Sequence, residues 1–284
     1  MKVVDTISRM STLVKILKKE GKSIGLVPTM GYLHEGHLSL SRGAKKHTDV
    51  VVMSIFVNPL QFGPKEDFQK YPRDLKRDEA LAASAGVDVI FTPSADEMYP
   101  AGYSTYVNVE GMTDTLCGAT RPGHFKGVTT VVAKLFEIVR PDIAYFGQKD
   151  AQQAMIVKKM AADLNMGLEV KVMPIVRESD GLAMSSRNVY LSVSERKDAL
   201  VLNAALKKAD EMIKSGERNP KKIIRAMEEM IEGVECARVD YISAVDAATM
   251  KEVKAISGET LIALAIFIGK TRLIDNIVVK GKDE

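Results

Sequence analysis

Two histidines three residues apart, His34 and His37, stand in the string Pro28-Thr29-Met30-Gly31-Tyr32-Leu33-His34-Glu35-Gly36-His37. A short apolar run, Ile24 to Val27, is stopped by Pro28 just before it, and a helix is predicted after it over Gly36 to Lys46. In a parallel sheet, ligands bind outside the carboxyl ends of the strands. A helix N-terminus at that edge offers unpaired N–H groups and a positive dipole end to phosphate. Two imidazoles there can donate hydrogen bonds to a phosphate chain and to the charge that develops at phosphorus. The same pair also suits a metal ion. The second histidine, however, comes one residue too early for the His-Glu-x-x-His of zinc proteases, and zinc would need at least one further ligand. Of the four histidines in the chain (His34, His37, His47, His124), two share this one turn.

Three further segments carry polar chemistry at predicted strand ends. In Phe146-Gly147-Gln148-Lys149-Asp150, Lys149 can pair with phosphate as a point charge. Asp150 can accept from a ribose hydroxyl or simply cap the following helix. In Gly181-Leu182-Ala183-Met184-Ser185-Ser186-Arg187-Asn188, two hydroxyls followed by an arginine form a compact donor set for phosphate, and a polar loop with an N-cap explains them equally well. In Phe56-Val57-Asn58-Pro59-Leu60-Gln61-Phe62-Gly63, Asn58 and Gln61 are neutral donors and acceptors, or amides that satisfy loop backbone. The four segments together suit a triphosphate and a small polar acid.

The elements that must position them alternate. Strand-like runs at Ile24–Val27, Val50–Val57, Val87–Phe91, Ile143–Phe146 and Leu168–Val172 are separated by helical patterns at Gly36–Lys46, Leu75–Ala85, Val128–Val139 and Ala151–Leu164. Strand–helix alternation predicts right-handed βαβ units and a parallel sheet. After about Ser192 the character changes. One helix is predicted from an N-cap at Ser194 through Ile213, a second over Ile223–Ile231, then strands at Val239–Ser243 and Leu261–Ile268. The expected fold is therefore an α/β, Rossmann-like parallel-sheet domain over residues 1–178, with a smaller α+β domain over 179–284.

Bulk composition narrows the function classes. The 284 residues are 46% hydrophobic and 27% charged, with a formal net charge of +3. That composition is ordinary for a globular protein, and no basic stripe of a nucleic-acid binder stands out. Cys117 and Cys236 are the two cysteines, far apart, which fits a reducing compartment rather than a disulfide framework. No run reaches the roughly 18 apolar residues of a membrane span, and no signal peptide is evident at the N-terminus. A cytoplasmic enzyme is the expectation, with no nucleic-acid or membrane partner.

His34-Glu35-Gly36-His37 resembles the HxGH signature of the nucleotidylyl transferase superfamily, and Met184-Ser185-Ser186-Arg187 resembles its second, KMSKS-type signature. The longer strings Pro28–His37, Ser54–Gly63, Phe146–Gln153 and Asp180–Leu191 are similar to the pantothenate synthetase (pantoate–β-alanine ligase) family. So are Arg121-Pro122-Gly123-His124-Phe125 and Arg272-Leu273-Ile274-Asp275-Asn276. The resemblance implies ATP-dependent condensation of pantoate with β-alanine through a pantoyl adenylate, with Mg²⁺ and a homodimeric enzyme.

It also implies roles for individual residues. His34, His37, Lys149 and Arg187 are the expected catalytic residues. Met30, Gly147, Asp150, Val176, Met184, Ser185 and Ser186 join them around ATP. Gln61 and Gln153 are expected at pantoate. Gln61, Asn58, Arg121 and His124 are expected near β-alanine. Asp78 is a candidate Mg²⁺ contact, although phosphates and water alone can hold the ion, and the metal ligands are left unassigned. The competing readings are a nucleotidylyltransferase that stops after nucleotidyl transfer, a tRNA-docking module, and an inactive scaffold.

Overall fold

The computed structural model describes residues 1–64 and 66–281. It divides into two compact units. The first comprises Met1–Glu110, Arg121–Gln148 and Gln153–Pro174; the second comprises Gly111–Thr120, Lys149–Gln152 and Ile175–Glu284.

The first unit holds a parallel sheet, described with β1 (Lys2–Val4), β2 (Ile24–Thr29), β3 (Val50–Ile55), β4 (Val89–Phe91), β5 (Ile143–Gly147) and β6 (Glu169–Met173). Their order is β1-β4-β3-β2-β5-β6. Its helices are α1 (Ile7–Lys19), α2 (Glu35–Lys45), α3 (Leu75–Ser84) and α4 (Ala95–Met98). The short α5 (Leu116–Thr120) belongs to the other unit, while α6 (His124–Val139) and most of α7 (Ala151–Asp163) return to the first. The chain builds outward through β2, β3 and β4, then restarts on the other side with β5. The order of the sheet therefore reverses between β2 and β5, and a reversal of this kind opens a crevice for ligand at the carboxyl ends of the strands.

Burial explains the strand composition. In β3, Val51, Val52, Met53 and Ser54 are all buried, as a strand covered on both faces requires. Leu38, Leu40 and Ala44 of α2 pack with Val27, Val51, Met53, Ile90 and Tyr145. Pro28 does not end β2 as the sequence suggests. Pairing with β5 stops at Leu26 while pairing with β3 continues to Thr29, so the missing proline N–H interrupts no bond to β5.

The second unit carries a three-stranded antiparallel sheet, β7 (Ala237–Asp246), β8 (Glu259–Ile268) and β9 (Thr271–Lys280), in that order. Its helices are α8 (Val193–Asp198), α9 (Val201–Lys214) and α10 (Pro220–Glu232), and α9 and α10 bury Leu202, Leu206, Ile213, Ile223 and Met227 in one cluster with Ile262, Leu264 and Ile266. Two corrections apply here. The cap is Ser192, whose Oγ accepts from Glu195 N while the Glu195 carboxylate accepts from Ser192 N, a reciprocal box. The predicted single helix is two, broken at Ala199–Leu200.

Candidate active site

The turn after β2 is built by acceptors that consume its backbone N–H groups in succession. Gly31 N donates to Thr29 Oγ1 at 3.2 Å, Tyr32 N to Asp78 Oδ2 at 2.7 Å and Leu33 N to Asp78 Oδ1 at 2.7 Å. His34 N donates to His37 Nδ1 at 3.3 Å. His34 is the N-cap residue of α2, and its ring lies 4.0 Å from that of His37 between centroids. Because His37 Nδ1 accepts, the neutral ring carries its proton on Nε2, which fixes Nε2–H as the donor. Asp78 is 1% exposed. Burial is the largest influence on it and lifts its carboxyl above the usual range, against the pull of Leu33 N–H, Tyr32 N–H and Arg77. Both oxygens of Asp78 accept from backbone N–H groups, so the carboxylate anchors the turn.

The turn after β3 is built around Asn58, which is 1% exposed. Asn58 Nδ2 donates to Gln61 Oε1 at 3.1 Å and to Gly127 O at 3.0 Å, and Oδ1 accepts from Tyr99 Oη at 2.8 Å. Gln61 Nε2 lies 3.1 Å from Met30 Sδ. Burial pushes the Tyr99 hydroxyl far up, so it stays a donor. The Gln61 carbonyl accepts from His124 Nδ1 at 2.7 Å and from Arg121 Nη2 at 3.4 Å. His124 Nδ1 therefore carries the proton, and its Nε2 accepts from Arg121 Nη1 at 3.0 Å. Arg121 forks onto Glu66 with contacts of 2.8 and 2.6 Å. Burial would raise the Glu66 carboxyl, but the Arg121 hydrogen bonds and charge, with His124, hold it below the usual range.

In the second unit, Lys149 sits in a short turn, Gln148–Asp150, directly after β5. Its Nζ is 3.9 Å from Asp150 Oδ2, and its carbonyl accepts from Asn276 Nδ2 at 3.0 Å. The Val176 carbonyl accepts from Met184 N at 3.0 Å. Ser185 caps the turn Ser186–Tyr190 by accepting Arg187 N at 3.2 Å, and Ser186 is buried. This loop is braced by a fork between Arg177 and Asp275, with contacts of 2.6 and 3.0 Å, and Arg177 Nη1 also donates to Gly181 O.

The pantoate–β-alanine ligase family model matches residues 2–278. The chain belongs to the pantoate–β-alanine ligase family. It is 57% identical over 283 residues to the pantothenate synthetase of Moorella thermoacetica, covering 100% of both chains. It is 58% identical over 280 residues to that of Acetivibrio thermocellus, covering 99% of this chain and 100% of the other. The crystal structure of pantothenate synthetase from Thermus thermophilus superposes with a TM-score of 0.93 at 46% identity, covering 98% of this chain and 99% of that one. The Francisella tularensis pantoate–β-alanine ligase, complexed with beta-gamma ATP and β-alanine, superposes with a TM-score of 0.78 at 35% identity, covering 98% and 97%. The family reaction is the ATP-dependent condensation of pantoate with β-alanine, and this chain is such a ligase.

Against that background the predicted site residues fall into two groups. Met30, His34, His37, Asn58, Gln61, Arg121, His124, Gly147 and Gln153 lie in the first unit. Lys149, Asp150, Val176, Met184, Ser185, Ser186 and Arg187 lie in the second. Within the first unit, Met30, Asn58, Gln61, Arg121 and His124 form one hydrogen-bonded set. Gln153 is half-buried beside Gln152, whose amide serves structure: it accepts from Cys117 N and donates to Met112 O and Thr115 O. Sequence reasoning missed the supports Arg77, Tyr99, Gly127 and Arg177. Asp275 and Asn276, noticed only as part of a string, hold Arg177 and the Lys149 carbonyl.

Among the described residues, no group of three His, Cys, Asp or Glu could hold a metal, and no helix is long and apolar enough to cross a membrane.

Proposed function

We propose that the condensation runs through a pantoyl adenylate. A carboxylate oxygen of (R)-pantoate attacks the α-phosphorus of ATP, the bond to the bridging oxygen breaks, and pyrophosphate leaves. The amine of β-alanine then attacks the acyl carbon, loses a proton, and AMP departs with the oxygen that came from pantoate. A carboxylate is a poor acyl donor to an amine at neutral pH, and adenylation supplies the leaving group. Such chemistry asks the protein for positioning and charge neutralisation more than for a nucleophile.

The observation that carries the reading is the pinned His37 ring. With Nδ1 accepting from His34 N, its Nε2–H is a fixed donor at the start of α2. The N–H groups of residues 31–34 are already taken within the protein, so phosphate recognition at this turn falls to the imidazoles and to the first turn of α2 beyond His34. His34 and His37 hold the phosphates and stabilise the transition state, with Lys149, Arg187, Ser185 and Ser186. Gly147 and Asp150 meet the ribose, Val176 meets adenine through its backbone, and Met30 and Met184 complete the nucleotide contacts. Gln61 and Gln153 bind pantoate. Asn58, Arg121 and His124 act chiefly through Gln61, and Gln61 serves β-alanine in the second step.

In this division, residues 1–178 form the nucleotide- and pantoate-binding domain, and residues 179–284 form the smaller domain that completes the ATP contacts. Mg²⁺ would arrive with ATP, held by phosphate and water oxygens as this ion commonly is. When bound it supplies further neutralisation of phosphate charge. Localisation to the cytoplasm and assembly as a homodimer complete the reading. Pantoate labelled with heavy oxygen in its carboxylate tests the route: the label should appear in AMP. AMP without label would exclude an acyl adenylate.

A further inference from the structure

We propose that Arg77 and Asp78, at the start of α3, are positioning residues that clamp the turn Gly31–Leu33 and thereby set His34 and His37 for the first half-reaction. The inference rests on the site reading above for the role of the histidines, but the clamp itself stands on geometry alone.

The turn has reasons to need holding. Tyr32 has φ +49°, a left-handed conformation disfavoured for a residue with a Cβ. Gly31 has φ +82°, and a Cβ on it would lie 2.9 Å from Asp78 Oδ2 and 2.9 Å from Ile55 Cγ2, so glycine is what lets the turn press against the carboxylate. The clamp grips backbone from both sides. Asp78 takes the N–H groups of Tyr32 and Leu33, while Arg77 Nη2 donates to Leu33 O at 2.9 Å. The guanidinium also lies 4.8 Å from the centre of the Tyr32 ring. Leu33 is thus held at both its polar backbone atoms, immediately before the residue that caps α2. Asp74 caps α3 by accepting Arg77 N at 3.0 Å, which fixes the first turn from which both residues project. Asp78 and Leu33 are both buried, so the bond between the Leu33 N–H and Asp78 Oδ1 is shielded from water.

A carboxylate suits the task better than an amide. Two N–H groups converge on its two oxygens. Asparagine of the same shape would face one of those donors with an NH₂ group, replacing an attraction by a repulsion. A shift of the turn by a fraction of an ångström would carry over to the His37 ring, whose Nδ1 is bonded to His34 N, and misplacement of about 1 Å costs about 100-fold in rate.

The experiment uses the full-length enzyme and the isosteric Asp78→Asn variant, checked as folded by circular dichroism. Adenylate formation is followed in single turnover, and amide hydrogen exchange is read at Tyr32 and Leu33. The expected result is faster exchange at those two amides with β2 and β3 unchanged, and adenylation slowed roughly 10- to 100-fold, with the step from preformed adenylate to product within about two-fold of wild type. In a His34→Ala/His37→Ala background, Asp78→Asn should add less than about three-fold, because it acts through those two rings. Wild-type protection of Tyr32 and Leu33 in the variant would overturn the clamp. So would a full multiplicative loss in the triple variant, since Asp78 would then act independently of both histidines. A His37→Ala enzyme with wild-type adenylation would instead bring down the site reading, and the exchange data alone would still decide whether the clamp exists.

Discussion

Replacing Gly127 with alanine should damage pantoate use without replacing any residue proposed to contact substrate. Gly127 lies on the face of α6 against the Pro59–Gln61 turn, and its carbonyl accepts from Asn58 Nδ2. A Cβ there would fall 2.2 Å from Leu60 O, 2.4 Å from Leu60 C and 2.6 Å from Gln61 N, all backbone atoms. The first distance is about 1.2 Å short of ordinary contact at 3.4 Å, and no side chain can swing aside to relieve it. The turn, with Gln61 on it, must move by about that much. Alanine gains about 1 kcal/mol of helix propensity over glycine. Over-packing costs typically about 1–3 kcal/mol, so the net change should be a loss of up to about 2 kcal/mol in stability.

A displacement near 1 Å should cost about 100-fold in kcat/KM for pantoate, equivalent to roughly 2.7 kcal/mol of transition-state binding. Steady-state kinetics with pantoate varied at saturating ATP and β-alanine, paired with urea denaturation, measures both quantities. A folded Gly127→Ala enzyme with wild-type kcat/KM for pantoate would refute the reasoning that this close approach seats Gln61.

Other perturbations have definite expected outcomes. Gln61→Ala removes a neutral amide, so the KM for pantoate should rise about 10-fold while the KM for ATP changes little; equal effects on both would remove Gln61 from pantoate. Arg177→Met leaves the Asp275 carboxylate, whose side chain is 1% exposed, without its partner, and should cost about 3–5 kcal/mol in chemical denaturation, with much of it recovered in Arg177→Met/Asp275→Leu. No difference between the single and double variants would count against an uncompensated buried charge. Glu66 gives a pH signature. Its folded carboxyl is held below the usual range, so the stabilisation is present above the unfolded glutamate value, about 4.3, and is lost as pH falls through the folded value. Glu66→Gln should therefore lose less stability than wild type between about pH 5 and the acid limit, and parallel acid-unfolding profiles would show that the Glu66–Arg121 fork contributes nothing.

The parts legible in the sequence were those where pattern and chemistry coincide. The valine-rich run of β3 and the strand–turn–helix around His34 and His37 announce a parallel sheet with a ligand edge, and the family strings name the chemistry. The less legible parts have physical reasons. β1 has three residues at the edge of the sheet, too few for a period to register. β9 hides because Asp275 and Asn276 interrupt its alternation as a turn would, yet both are buried and spent on Arg177, on each other and on the Lys149 carbonyl.

The supports of the site were illegible for a different cause. Asp78 lies 45 residues from Leu33, and Gly127 lies 69 from Asn58. Nothing local marks an aspartate that anchors a distant turn, or a glycine that admits a neighbouring backbone rather than merely weakening a helix. Only the packing of α3 and α6 against the two turns separates those readings.

The most direct test of the central claim is pyrophosphate release from the purified enzyme supplied with Mg-ATP and pantoate, with β-alanine withheld and then added. Release that requires pantoate and proceeds to about one equivalent per site without β-alanine, followed by pantothenate and AMP on its addition, is the predicted result. Pyrophosphate that appears only once β-alanine is present would contradict a separate adenylation step, and release independent of pantoate would contradict the acid assigned to this site.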